Sequence, residues 1–456
     1  MSRAPLRAGL LGGGTVGGAV ARAFAEFPAR LAPADGAQLV LAAIAVRDLT
    51  AALARGLPAE LLTDAPAHLV ASPEVDVVVE LFGGDEPART LIAAALGAGK
   101  PVVTANKHVI AHDGPELESL ARRTGAPLRF EAAVGGGIPI LGLIAADLAA
   151  NEVHRVRGIV NGTTNHILTA MAEDGVSYEA ALADAQARGY AEADPSGDVE
   201  GADAVNKLVI LARLAFGAWL DPDAVVRRPP TVLGLGRPGI TGVSAAEMAA
   251  ASALGLTIRL LAWAGREGHG AERPFATEGP PPAGAIDPDG ALGAAAQPIA
   301  AAEPIAAAVL PTGVPSASPL GATGGVLNQV EIEATPVGTI RIAGPGAGGD
   351  PTSSAVLGDL IAIARGQGST WAGLPPARAG RPAPISPLGG RRRWFALLPD
   401  AATAPALGAA AEGARSVPVA GGTAVLTGPM TLEELRAAAR ALLPPGVDVT
   451  LYPVDD

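Results

Sequence analysis

Short apolar runs punctuated by glycine organise the first third of the chain. Leu6–Leu11, "LRAGLL", reads as a buried strand that ends in "GGGTVG" and passes into an alanine-rich helix reaching about Phe27. Apolar runs at 39–46, 75–81, 101–104 and 128–132 read as further strands, with a helical pattern at 87–98 between two of them. Strands alternating with helices predict a parallel sheet covered on both faces. From about residue 150 the pattern changes. A strand at 153–160 leads into helices at 164–174 and 177–188, an acidic loop, and a helix that runs through Lys207. Residues 269–320, rich in Ala, Pro and Gly, carry little periodicity and are expected to form loops. "VLNQVEIEA" and "GTIRIAG" read as strands, and "PGAGGDPTSSAVLGDLIAIARG" as a glycine loop entering a helix. A Pro/Gly-rich linker is expected at 373–391. The tail, 392–456, follows the order β-α-β-β-α-β, which is ferredoxin-like, its first helix expected at "PALGAAAEG".

The 456 residues suggest about three domains, and 49% hydrophobic content supports sizeable cores. Aromatics are only 3%, so those cores must be built from small aliphatic side chains. A net charge of -12 argues against a nucleic-acid surface. The absence of cysteine removes disulfides, thiolate metal sites and a cysteine nucleophile, and fits a reducing cytoplasm. The N-terminal stretch has the outline of a secretory signal, but Gly12, Gly13 and Gly14 break its apolar middle and a dinucleotide motif accounts for them better. The uncharged run at 132–146 is too short to span a bilayer. A soluble, cytoplasmic protein is expected.

Gly12, Gly14 and Gly17, with Thr15 and Val16 between the last two, fit G-x-G-x-x-G between a strand and a helix. The glycines allow a tight turn and close backbone approach, and the helix N-terminus favours a pyrophosphate. The context predicts a Rossmann-type dinucleotide site. The second strand ends in Val46-Arg47-Asp48, where an acid suits the ribose hydroxyl of NAD and an arginine the 2′-phosphate of NADP. Arg47 lies nearer the strand end, so NADP is expected, with NAD use possible.

Lysine is scarce. It occurs only at 100, 107 and 207 although Lys and Arg together number 33. "GYAEADPSGDVEGADAVNKLVILA", residues 189–212, gathers Glu192, Asp194, Asp198, Glu200 and Asp203 ahead of Lys207. Asp203 and Lys207 are four apart, so a helix places them on one face in the favourable order. The following "LVILA" has nothing polar, which implies a helix buried on more than one side. Arginine is effectively always protonated, whereas a buried lysine can give or take a proton. Proton transfer therefore explains why Lys207 persists where arginine serves elsewhere; a surface ion pair is the simpler alternative. Lys107, in "VVTANKHVIA", falls at the carboxyl edge of the sheet, where ligands bind in open α/β folds. Of six asparagines, Asn106, Asn161, Asn165 and Asn206 lie in these same segments, which suggests fixed hydrogen bonding or ordinary cap duty.

"EAAVGGGIPILG" runs a strand into a glycine loop whose carbonyls could hold a cation or crowd a ligand, and "GIVNGTTNHIL" ends a strand in a polar hinge. There is no H-E-x-x-H, no phosphate-loop lysine motif and no G-x-S-x-G, and the six histidines lack metal-ligand spacing.

Taken together, "GLLGGGTVG", "TANK", "EAAVGGGIPI", "NGTTNHIL", the 189–212 segment and "GPGAGGDPTSSAV" resemble homoserine dehydrogenase, the long bacterial form with a C-terminal regulatory domain, over about 1–368. The resemblance implies an α/β protein in three parts. These are a Rossmann-type domain at 1–150 completed by a helix near 350–368, an α+β catalytic and dimerisation region at 151–345, and, beyond the 373–391 linker, a small ACT-like domain at 392–456. It implies NAD(P)H-dependent reversible reduction of L-aspartate 4-semialdehyde to L-homoserine, on the route to threonine and methionine. Lys207 would be the acid that protonates the carbonyl oxygen, Glu192 would hold the substrate ammonium, and Asp198 and Asp203 would orient substrate and lysine. Lys107 would contact cofactor and substrate. Gly162, Thr163, Gly346, Gly348 and Gly349 would line the cleft. Glu131 and the carbonyls of Val134, Gly136 and Ile138 would bind a monovalent cation such as Na+. A homodimer or homotetramer is implied, with an amino-acid effector at the tail.

Two departures stand out. "SPL" at 318–320 lacks the histidine expected before Pro-Leu, and the tail reads "PDAATAP" where an ACT domain would carry an Asp-x-Pro-Gly turn. The second counts against threonine as the effector. Competing readings are a dehydrogenase of another amino-acid semialdehyde and a non-catalytic NADP-binding regulatory protein.

Overall fold

The computed structural model describes residues 4–266, 304–371, 373–377, 380–399 and 413–455. Its first sheet is parallel and six-stranded: β1 (Leu6–Leu11), β2 (Leu39–Ala45), β3 (Leu62–Thr63), β4 (Val77–Glu80), β5 (Val102–Thr104) and β6 (Leu128–Arg129). The order is β3-β2-β1-β4-β5-β6. Val77, Val78 and Val79 are fully buried, as are Val102 and Val103, because helices cover both faces. The order reverses between β1 and β4, and such a switch point opens a crevice at the carboxyl ends of the strands.

The helices of this part are α1 (Thr15–Glu26), α2 (Leu49–Ala54), α3 (Pro66–Ala71), α4 (Ala88–Gly97) and α5 (Lys107–Thr124). Asn106 caps α5 by accepting from the Val109 amide at 3.1 Å, so the helix starts at Lys107 and aims that residue at the crevice.

The second sheet is antiparallel, in the order β11-β10-β7-β8-β9. Its strands are β7 (Glu152–Ile159), β8 (Leu256–Arg266), β9 (Ile305–Pro315), β10 (Leu327–Thr335) and β11 (Gly338–Pro345). Its longer helices are α6 (Gly162–Asp174), α7 (Tyr178–Ala187), α8 (Ala202–Phe216) and α9 (Ala245–Ala253). From Leu208 to Ala212 every residue of α8 is buried, each large aliphatic there contributing roughly 1.5–3 kcal/mol. The helix is enclosed on all sides.

The expectation of loops throughout 269–320 is corrected here. "IAAAVLPTGVP" forms β9, paired with β8 along eleven residues and buried on both faces; burial between layers removes the alternation that would mark a half-exposed strand. Pro319–Ala322 forms a short helix, and residues 269–303 lie outside the described residues.

The helix α10 (Gly349–Ala364) returns to pack beside α1, and the Ala37 amide donates to the Ala364 carbonyl at 3.0 Å. The chain then crosses the back of the molecule. The Leu374 carbonyl accepts from Arg122 and the Pro375 carbonyl from Arg213, while Ile385 bridges to Ala306 in β9.

The last sheet contains β12 (Trp394–Leu398), β13 (Arg415–Val419), β14 (Gly422–Leu426) and β15 (Tyr452–Pro453) in the order β13-β14-β12-β15. The helix α11 (Leu432–Leu442) opens with a capping box between Thr431 and Glu434. The helix expected at "PALGAAAEG" lies outside the described residues. No helix among the described residues is long and apolar enough to cross a membrane.

Candidate active site

One wall of the crevice is the glycine loop between β1 and α1. A Cβ at Gly17 would lie 2.0 Å from the Gly12 carbonyl oxygen, so only glycine permits this turn. Nothing approaches within 4 Å of a Cβ built at Gly14, and the loop is open on that side. Thr15 and Val16 begin α1, and a Cβ at Gly349 would lie 3.1 Å from the Thr15 carbonyl oxygen. Two helix N-termini, those of α1 and α10, therefore converge, with Gly348 as the residue before α10. Their unsatisfied amides and dipoles suit an anion such as a pyrophosphate. Gly346 fits against Gly136: a Cβ at Gly136 would lie 2.7 Å from the Gly346 carbonyl. Arg47 is exposed just past β2, whereas the Asp48 carboxylate accepts from the Ala51 amide at 2.9 Å as the cap of α2.

The opposite wall comes from the end of β7 and the starts of α6 and α8. Lys207 is 7% exposed and donates to Asp203 Oδ2 at 2.7 Å and to the Val160 carbonyl at 2.6 Å. Asp203 Oδ1 pairs with Lys107 Nζ at 2.7 Å. Two lysines from two halves of the molecule thus share one carboxylate. Burial lowers the Lys207 pKa, the Asp203 charge opposes this, and Lys107 adds to the lowering. Asp203 is itself fully enclosed; burial would raise its pKa, but the two ammonium groups hold it well below the usual carboxylate range. The half-exposed Lys107 is raised, chiefly by Asp203. Asp198 is raised by burial and the neighbouring Asp203 charge, against a hydrogen bond from Asn161.

Asn161 joins these groups. Its amide nitrogen donates to Asp198 Oδ1 at 2.7 Å and to Asp203 Oδ2 at 2.8 Å, and its oxygen caps α6 by accepting from the Thr164 amide at 2.8 Å. The cap explains why α6 starts at Gly162, two residues earlier than its apolar pattern suggests. Gly162 and Thr163 open α6, and the Thr163 hydroxyl donates to the Tyr190 carbonyl at 2.7 Å. Glu192 follows on the exposed loop, and its charge contributes to raising Lys107.

Sequence reasoning brought out Lys107, Lys207, Asp198 and Asp203, and the structure brings all four together. It singled out Asn161 only as one of the scarce asparagines, with fixed hydrogen bonding or cap duty, and passed over two further parts of the site. Asn161 is a hub; its signal was the scarcity of asparagine. The Val160 carbonyl had no signal at all. Glu80, fully buried at the end of β4, accepts from the Phe82 and Gly83 amides and, at 2.5 Å, from the Thr104 hydroxyl. It shapes the loop between β4 and α4, whose Gly84 carbonyl accepts from Asn106 at 2.7 Å.

Beside the crevice, Glu131 accepts from the Leu141 amide at 2.9 Å and the Gly142 amide at 2.7 Å. Burial and the adjacent Asp359 charge push its carboxyl up to about 7. The loop that follows carries Val134, Gly136 and Ile138; the Ile138 carbonyl also accepts from the Ile140 amide at 2.8 Å. No group of three or more His, Cys, Asp or Glu side chains fit for a metal occurs among the described residues.

Residues 12–131 match the family model "Homoserine dehydrogenase, NAD binding domain", and residues 139–361 match the model "Homoserine dehydrogenase". The chain belongs to the homoserine dehydrogenase family. Homoserine dehydrogenase of Mycobacterium tuberculosis is 43% identical over 361 residues, 79% of this chain and 73% of that protein. A solved homoserine dehydrogenase from Thiobacillus denitrificans superposes with a TM-score of 0.82 at 30% identity, each chain covered completely. A hyperthermophilic archaeal homoserine dehydrogenase in complex with NADPH gives a TM-score of 0.59 at 26% identity, covering 82% of this chain and all of that one. The function is that of a homoserine dehydrogenase, an NAD(P)-dependent oxidoreductase that uses a nicotinamide cofactor.

Proposed function

We propose that this homoserine dehydrogenase reduces L-aspartate 4-semialdehyde to L-homoserine, with Lys207 as the proton donor. The observation that carries the reading is the buried Lys207 ammonium held between the Asp203 carboxylate and the Val160 carbonyl. When bound, the nicotinamide supplies the hydride. As negative charge develops on the carbonyl oxygen, Lys207 stabilises it and gives up a proton, and in the reverse direction the neutral amine takes one back. Asp203 keeps Lys207 oriented, Asp198 helps hold the substrate, and Lys107 contacts cofactor and substrate. Glu192, exposed on its loop, receives the substrate ammonium.

NADP is the preferred cofactor in this reading, with NAD also used. Asp48 is committed to capping α2, which leaves Arg47 as the charged group available to a ribose phosphate. The loops at Gly12, Gly14, Gly17, Gly346 and Gly348 fit a pyrophosphate beside two helix N-termini, and the archaeal relative binds NADPH. A monovalent cation such as Na+ suits Glu131 with the carbonyls of Val134, Gly136 and Ile138, because the buried carboxyl would otherwise carry its charge next to Asp359.

The tail is read as a ferredoxin-like, ACT-like domain at 392–456, for which the strand order β13-β14-β12-β15 is support. It would bind an amino-acid effector, with threonine disfavoured by the missing turn. The ranges 1–150 with 350–368, 151–345 and the 373–391 linker complete this division. A homodimer or homotetramer in the cytoplasm is the expected assembly.

The test is NADPH oxidation, followed by absorbance, with purified protein and aspartate 4-semialdehyde beside Lys207→Arg. Turnover in the parent and its loss in the variant support the reading. No turnover with NADPH or NADH overturns it.

A further inference from the structure

The helices α5 and α8 carry the lysine and carboxylate that meet across the cleft, and they are joined again deep in the interior. Lys107 and Glu118 lie about 16 Å apart along α5, and Asp203 and Arg213 about 15 Å apart along α8, at 1.5 Å per residue. At the cleft Lys107 pairs with Asp203; at the far end Arg213 grips Glu118 with two hydrogen bonds, Nε to Oε2 at 2.9 Å and Nη2 to Oε1 at 2.7 Å. The matched spacings mean that one fixed register satisfies both contacts.

The inner pair is tightly determined. Arg213 and Glu118 are 0% and 1% exposed. Glu118 also accepts from Trp219 Nε1 at 2.8 Å and Arg122 Nε at 2.9 Å. Burial would raise the Glu118 pKa, but the bonds from Arg213 and Trp219 outweigh it, so the carboxyl stays charged. The Trp219 ring sits so near α5 that a Cβ at Gly114 would be 2.6 Å from it. Apolar residues of similar volume often stabilise an interior as well as a buried ion pair does, so the pair is weak evidence for stability, and fixing a register is the best-attested use of one.

We propose that Glu118 and Arg213 are positioning residues that set α5 against α8 and thereby bring Lys107 onto Asp203. This rests on the reading of the Lys107–Asp203–Lys207 cluster as the catalytic centre. An error of about 1 Å in such a centre costs up to ~10²-fold in rate. Loosening the inner pair therefore lowers turnover without touching substrate or cofactor.

The experiment uses the full chain with Glu118→Gln, Lys107→Met and the double variant, and kcat is taken per NADPH-binding site so that loss of folded protein does not count. Glu118→Gln is expected to lower that kcat about 10- to 100-fold, and to add nothing in the Lys107→Met background. A kcat per site equal to the parent's, or a Glu118→Gln effect that multiplies fully with Lys107→Met, overturns the proposal. Should Glu118→Gln not fold, Arg213→Lys, which keeps the charge but not the paired geometry, is read by the same criteria. A parent inactive on aspartate 4-semialdehyde sinks the functional reading instead. Hydrogen exchange then decides the register: faster exchange in the first turn of α5 in either variant is expected, and parent-like exchange there overturns it.

Discussion

Lys107 and Lys207 approach opposite oxygens of one carboxylate, each ammonium 2.7 Å from Asp203. Burial lowers the Lys207 pKa, the shared Asp203 charge opposes that lowering, and the Lys107 charge adds to it. Each half of the molecule supplies one lysine, so the arrangement exists only when the first sheet and α8 are docked.

Replacing Lys207 with arginine tests whether charge or proton transfer matters. A guanidinium keeps the charge but holds its proton at every working pH, and its planar fork does not reproduce a single ammonium between Asp203 and the Val160 carbonyl. The expected result is a kcat lower by ~10²–10⁴-fold with NADPH affinity unchanged. Steady-state NADPH oxidation and a cofactor fluorescence titration check the two parts. A fully active variant would leave the family membership standing and remove the proton-transfer role.

The pH profile follows from the same contacts. Reduction needs protonated Lys207, so its rate falls as pH rises through the Lys207 pKa, which burial places below the ordinary 10.5. Asp203 raises that pKa, so Asp203→Asn lowers it and moves the basic limb of the reduction profile to lower pH. Oxidation needs the neutral amine, so its rising limb moves the same way. Rate profiles in both directions check this; an unmoved basic limb in Asp203→Asn would assign the limb to another group.

Asn161 has two jobs that one substitution separates. Asn161→Ala removes the cap of α6 and both bonds to the carboxylates, with an expected stability loss of about 0.5–2 kcal/mol from the cap. Asn161→Asp keeps a capping oxygen but sets a third carboxylate against Asp198 and Asp203. Urea unfolding should show Asn161→Ala as the less stable of the two when both are measured near pH 4. At pH 8 the aspartate variant loses that advantage as the repulsion develops. Parallel curves at both pH values would refute the carboxylate contact.

How much of this was written in the chain varies with the physics of each part. The glycine loop was legible because Gly12 and Gly17 answer a local steric demand that no other residue meets. Lys207 and its acids were legible because lysine is rare and the acids are close in sequence. β9 was not, since its alanines and prolines imitate a loop and its pairing lies with β8, across residues 267–304. The 373–391 stretch has a linker's composition, yet Arg122, Arg213 and Arg381 bond its backbone or reach from it to α5 and to Leu220 beyond α8. Asn161 could be noticed as scarce, but its partners could not be named, because both depend on how the 189–203 loop folds back on β7.

Glu80 gives a prediction about stability that is independent of turnover. Burial raises its pKa above 4.5, in spite of bonds from the Thr104 hydroxyl and the Gly83 and Phe82 amides. Above pH 4.5 the folded chain therefore keeps a proton that the unfolded chain has released. The stability linked to that proton is complete below 4.5 and is lost as pH rises through the folded value. Glu80→Gln is neutral at every pH, and its oxygen can still accept from the two amides, so the loop at 82–84 keeps its shape. Between pH 4.5 and 8 the parent should lose stability relative to Glu80→Gln, with KM for NADPH the same in both. Urea midpoints across that range decide it: if the difference between the two proteins does not change with pH, Glu80 is not carrying the buried proton, and its place at the end of β4 must be explained by its hydrogen bonds alone.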